Sequence, residues 1–171
     1  MTSKSKKVIQ TVGTCVGFGT LIGAVTNMIN GAVSPLYFQT IMKWDNIENI
    51  WGTAVAQGIF EGIIQGILFS AIFAAVVGMK SKDDETFVPI FKFISVISLM
   101  IIGSWCVGGG IAIGLSLLSP EFYQNAFIGV PEETNQMVRY AWVGGSIWGA
   151  MFGGLLTVIL GSVLFAKRRK I

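Results

Sequence analysis

Four long apolar stretches, at 8–33, 51–78, 93–118 and 140–166, occupy most of this 171-residue chain. A helix needs about 20 residues to cross roughly 30 Å of hydrocarbon, and each stretch reaches or exceeds that length. Hydrophobic residues make up 53% of the chain and charged residues only 12%, which does not describe a water-soluble domain. The 22 glycines suit helices that approach one another closely in lipid. The expected fold is all-α: an integral membrane four-helix bundle, with almost nothing left for a separate soluble domain.

The basic residues carry a topology signal. Lys4, Lys6 and Lys7 precede the first stretch. Lys80, Lys82 and Lys92 separate the second from the third, and Lys167, Arg168, Arg169 and Lys170 follow the fourth. Ten of the twelve Lys and Arg residues thus fall on one side, against Lys43 and Arg139 on the other. The positive-inside rule then places both termini in the cytoplasm. A net charge of +3 needs no nucleic acid to explain it, because it comes from these topology signals, with contact between the basic residues and anionic lipid of the bilayer as a further source. The N-terminus has the basic start of a signal peptide, but its apolar run is long and lacks a small-residue cleavage site, so it is expected to stay as a span.

The chain repeats itself. Cys15-Val16-Gly17-Phe18-Gly19 in the first stretch matches Cys106-Val107-Gly108-Gly109-Gly110 in the third. Ser34-Pro35-Leu36-Tyr37-Phe38-Gln39 then corresponds to Ser119-Pro120-Glu121-Phe122-Tyr123-Gln124. A three-glycine ladder follows in each copy, Gly58, Gly62 and Gly66, then Gly145, Gly149 and Gly153. This order predicts two tandem helical hairpins, 1–79 and 93–171, joined by a cytoplasmic linker at 80–92 and related by an axis along the membrane normal. Each Ser-Pro is expected to start a short interfacial helix, serine as the cap and proline in the first turn. Tyr37, Phe38, Trp44, Trp51, Phe122, Tyr123, Phe127, Tyr140 and Trp142 would anchor the outer side. Asp45 with Glu48 has the spacing of a capping box, and Pro131-Glu132-Glu133 suits a first helical turn.

One residue stands apart. Glu61 lies about ten residues into the second stretch, with no Lys, Arg or His within ten positions to neutralise it. Intramembrane carboxyls face a protein interior, a water path or an ion, because exposure to lipid is too costly. At helical spacing Gln57, Glu61 and Gln65 form a polar stripe beside the Gly58/Gly62/Gly66 ladder. These three are the candidate ion- or proton-binding residues. Alternatively, Glu61 is a neutral structural carboxyl bonded to Thr20, Gln57 or Gln65. Aligning the ladders sets Trp148 opposite Glu61, so any site occurs once per chain.

The remaining polar groups read as structural. Asn27 and Asn30 are expected to be capping or loop residues near the outer end of the first stretch, with a ligand role as the alternative. Trp105 and Trp148 read as packing, and Cys15 and Cys106 as small apolar side chains. There is no histidine, and no Ser/His/Asp triad, zinc or phosphate-loop arrangement stands in the sequence. Neither an enzyme nor a cofactor or metal site is expected.

The Ser-Pro-x-aromatic-aromatic motifs after glycine-rich stretches resemble those of small, uncharacterised bacterial membrane proteins that carry Ser-Pro-Glu-Tyr-Phe at the same place. Leu36 and the Phe122-Tyr123 order depart from that motif. The resemblance implies a bacterial inner membrane location and no particular activity. Glu61-Gly62 before an apolar run is similar to the rotor-ring proteolipids of rotary ATPases, where glycine-rich hairpins carry one embedded carboxylate. Here the segments between paired stretches are long and aromatic, and the basic residues place the termini on the opposite side. The resulting expectation is a non-enzymatic multi-pass membrane protein. Either it is an oligomeric pore or carrier with Glu61 as its ion-binding group, or it is an accessory subunit of a larger membrane complex.

Overall fold

The computed structural model describes residues 2–82 and 86–168. Residues 83–85 of the linker, and Arg169 and Lys170 of the basic set, lie outside the described residues. The described residues are helical with no strand among them. In chain order they form α1 (Ser3–Val33), α2 (Pro35–Met42), α3 (Ile50–Lys80), α4 (Val88–Leu118), α5 (Pro120–Ala126) and α6 (Thr134–Arg168). By length and composition, α1, α3, α4 and α6 can each cross a membrane. A 31-residue helix is about 46 Å long, so each outreaches the hydrocarbon layer at its ends.

Local chemistry sets the boundaries. Ser34 ends α1 by giving its N–H to the Asn30 carbonyl, and its hydroxyl accepts the Tyr37 N–H at 3.3 Å to start α2. Pro35 fits the first turn, where its missing N–H costs no helical bond. Ser119 adopts a similar backbone shape before Pro120, but its side chain makes no capping bond. Lys43, left-handed at φ 56°, closes α2. Two sequence expectations are corrected here. Asn49, not Asp45, caps α3, its side chain accepting the Gly52 N–H at 2.9 Å. Helix α6 opens at Thr134, so Pro131, Glu132 and Glu133 precede it instead of forming its first turn.

Helix α1 lies along α3, and α4 along α6; the two pairs meet mainly through α3 against α6 and α1 against α4. In lipid there is little hydrophobic gain from bringing helices together, so close van der Waals contact must hold them. Glycine makes that contact possible. A Cβ on Gly58 or Gly62 would collide with the carbonyl of Gly23 or Gly19, and one on Gly66 would sit 2.8 Å from Cα of Val16. In the other pair a Cβ on Gly145 or Gly149 would strike the Gly108 or Ser104 carbonyl, and one on Gly153 would meet Oγ of Ser104 at 2.6 Å. Both glycine rows are therefore used between helices of one chain.

Two apolar clusters close the ends of the bundle. Phe73, Val77, Ile90, Ile94, Ile97 and Phe165 pack at the end that carries Lys7 and Lys82, with Phe165 edge-on to Phe73 and Phe93. At that end the Lys7 ammonium donates to the Lys82 carbonyl just past α3, where a helix C-terminus favours positive charge. Tyr37, Phe38, Ile50, Tyr140 and Val143 pack at the opposite end. Here a third expectation is overturned. Tyr37, Phe38, Tyr123 and Tyr140 are buried within the protein, not displayed as surface anchors, whereas Trp51, Phe122 and Phe127 are exposed. Tyr37 and Phe38 of α2 cluster with Tyr140 of α6, and Tyr123 of α5 with Met137 and Ala141 of α6, so the short helices bury their aromatic side chains against the long one.

Candidate functional site

Between the two end clusters lies a cavity of about 80 Å³. Helix α3 contributes Glu61 and Gln65, α1 contributes Thr26, Asn27 and Asn30, and α4 contributes Ser98 and Trp105. The rest of its wall is mainly apolar, including Phe18, Phe69 and Phe73. Glu61 is half-buried and turned toward this interior. Its carboxylate Oε1 accepts a hydrogen bond from Nε2 of Gln57 at 2.8 Å, one helical turn away. Gln57 does not line the cavity, but Gln65 does, so the polar stripe divides into one residue that holds Glu61 and one that shares its chamber. No Lys or Arg is among the described residues lining it. Thr20 is spoken for elsewhere, its hydroxyl donating to the Val16 carbonyl at 2.8 Å.

The glycines make this geometry. Gly58, Gly62 and Gly66 let α3 approach α1 closely enough that Asn27, one turn from Gly23, enters the same chamber as Glu61. The Asn27 Cβ lies 2.6 Å from where a Cβ on Gly58 would be, so the asparagine occupies space that any larger residue there would need.

The expectation that Asn27 and Asn30 are capping or loop residues is corrected. Both lie within α1, at 3% and 0% exposure. Nδ2 of Asn30 donates to Oδ1 of Asn27 at 3.5 Å, and the Ser146 hydroxyl of α6 donates to Oδ1 of Asn30 at 3.2 Å. This short polar chain ties α1 to the opposite helix pair. Reasoning from the sequence placed these asparagines at the boundary because the Ser-Pro break follows so soon. The available signal was their spacing of three, which puts both on one face of a helix that continues to Val33.

Trp105 is buried, as its packing role requires, and meets Trp142 edge-on at 5.1 Å. Trp148, which aligns with Glu61, does not occupy the equivalent interior place. It is half exposed, stacks on Phe152 at 5.2 Å and lines a second, wider cavity of about 600 Å³. Tyr37, Tyr123 and Tyr140 also border that outer cavity. Tyr37 ties the two regions together electrostatically: burial raises the pKa of its phenol, and the negative charge of Glu61 raises it further. Cys15 lies on the wall of the inner cavity, and Cys106 is exposed; neither is in a disulfide.

Four helices of this length and composition are those of a multi-pass membrane protein, with one carboxylate facing an interior chamber. Compared with known proteins, the chain matches no family model, no curated sequence and no solved structure.

Proposed function

We propose that this protein is a non-enzymatic membrane carrier or pore in which Glu61 binds a cation or proton in transit. The carrying observation is that Glu61 faces an interior cavity whose described lining contains no basic side chain to neutralise it. An unneutralised carboxylate inside an apolar bundle has a high desolvation cost, which an arriving positive charge offsets. Gln57 holds one carboxylate oxygen, leaving the other free for a ligand. The two helix pairs, each joined at close glycine contacts, are the natural moving bodies: we infer that they derive from a duplicated hairpin and rock against each other at the Glu61 chamber. Because the chamber lies within one chain, the reading requires no oligomer. Both termini are placed in the cytoplasm by the distribution of basic residues.

The competing reading is an accessory subunit of a larger membrane complex, favoured by the Gln57 bond, which already satisfies part of Glu61. Glu61→Gln separates the two. It preserves shape and hydrogen bonding but removes the charge. Reconstituted in proteoliposomes, the carrier is expected to lose cation or proton flux in this variant while eluting and melting like the native protein. Unaltered flux across a range of pH and cations would leave the accessory role.

A further inference from the structure

We propose that the inner cavity is a hydrated site in which Asn27 and Trp105 hold water against Glu61, and that these donors select a proton over a metal cation. The proposal rests on the carrier reading and names its cargo. Two observations independent of Glu61 lead to it. Among the described residues, Nδ2 of Asn27 and Nε1 of Trp105 find no hydrogen-bond partner, although the residues are 97% and 94% buried, from exposures of 3% and 6%. Both line the inner cavity, one from α1 and the other from α4. A buried donor left unpaired is costly, so two of them on one cavity wall call for an acceptor between them. The Asn27 amide oxygen receives Nδ2 of Asn30, which leaves the Asn27 nitrogen without a partner among the described residues.

The size and chemistry of the space narrow the ligand. At about 80 Å³ the cavity has room for a small cluster of waters. It is well below the roughly 300–1,000 Å³ of sites for organic ligands. Water is complementary to both sides: its oxygen accepts from Asn27 and Trp105, and its hydrogens donate to the free oxygen of Glu61. A bare metal cation fits poorly. Hard cations such as calcium take six to eight oxygen ligands, and unpaired N–H donors on two of the lining residues offer a cation no lone pair. Glu61 is the sole carboxylate lining this space among the described residues, and no three His, Cys, Asp or Glu side chains gather anywhere among them. Proton binding is balanced without any co-reactant. A cavity water gives one proton to a carboxylate oxygen of Glu61 as it takes one from the next water toward the opening, so the net step is one proton gained by the carboxylate, the waters are restored, and release reverses it.

The test uses the full chain in proteoliposomes, with a pH-sensitive dye reporting protons and radiolabelled sodium and rubidium reporting metal cations. The native protein is expected to show Glu61-dependent proton flux without Glu61-dependent sodium or rubidium flux. Trp105→Phe keeps the ring packed on Trp142 but removes the N–H, and should lower proton flux by roughly tenfold. Asn27→Asp exchanges a donor for an acceptor and should admit sodium or rubidium. Glu61-dependent sodium or rubidium flux without proton flux in the native protein would overturn this proposal and leave the carrier reading intact. No Glu61-dependent flux of any species would end both. Should the variants misfold, water-edited NMR of the native protein decides the hydration directly. Magnetisation transfer from water to the Trp105 indole N–H supports the site; a dry indole overturns it.

Discussion

Burying a tyrosine changes how tightly it holds its phenol proton, and the alkaline behaviour of the tyrosines in the two short helices makes that effect measurable. Burial pushes the Tyr123 phenol up to about 12 from an ordinary value of 10.0, with a smaller contribution from Tyr37. Tyr37 is raised as well, by burial and then by the charge of Glu61. A raised folded pKa means that the native protein keeps these protons more tightly than the unfolded chain. Their contribution to stability is therefore full below about pH 10 and is lost as pH climbs toward about 12. Melting followed by circular dichroism in detergent should show this alkaline decline, and Tyr123→Phe should flatten it. An identical decline in the variant would assign the effect to other groups. The burial of Tyr123 and Tyr37 was not legible in the sequence, because tyrosine next to an apolar stretch fits a membrane-surface anchor equally well. Glu61 was legible, since charge inside an apolar run is rare enough to stand out. The unpaired donors of Asn27 and Trp105 were not, because a missing partner is a property of the assembled cavity.

At the scale of elements, the existence of α1, α3, α4 and α6 followed from apolar length alone, but which glycines matter did not. Gly13, Gly17, Gly103, Gly110 and Gly114 also lie in the long helices, yet beyond the local backbone of its own helix and its chain neighbours no described atom lies within 4 Å of a Cβ built on any of them. Gly62 and Gly149 face the backbone of the neighbouring helix, which cannot swing aside as a side chain can. Alanine at either is expected to destabilise the protein by about 1–3 kcal/mol through overpacking. Alanine at Gly17 or Gly110 should be neutral or stabilising by about 0.4–1 kcal/mol, because it narrows the conformations of the unfolded chain. Thermal unfolding of the four variants in one detergent checks the contrast, and equal effects at all four sites would remove the close-contact explanation. The helix starts were less legible than the helices. Asn49 caps α3 where Asp45 and Glu48 had the familiar spacing, because the turn that ends α2 at Lys43 delays the next helix by several residues.

For the molecule as a whole, the sequence and the packing bear on orientation in complementary ways. The Lys7 ammonium meets the Lys82 carbonyl, so the start of α1 and the end of α3 share one end of the bundle. Arg168 lies over the Phe93 ring at 6.0 Å, which brings the end of α6 beside the start of α4. Lys43 lies beyond the far end of α1, a helix about 46 Å long, and so on the opposite side of any membrane the four helices cross. Neither relation says which end faces the cytoplasm; the positive-inside rule turns the crowding of basic residues into an expectation, that the Lys82 end does. Single cysteines at Lys43 and Lys82, introduced after Cys15 and Cys106 are replaced by serine or alanine, turn this into a measurement. Both lysines are exposed, so accessibility depends on the membrane and not on burial. In intact bacterial cells an impermeant thiol reagent should label the Lys43 site and spare the Lys82 site until the membrane is broken. Labelling of the Lys82 site in unbroken cells would invert the protein. The Tyr37 end of the Glu61 chamber would then face the cytoplasm, and the direction in which a proton reaches the carboxylate would reverse.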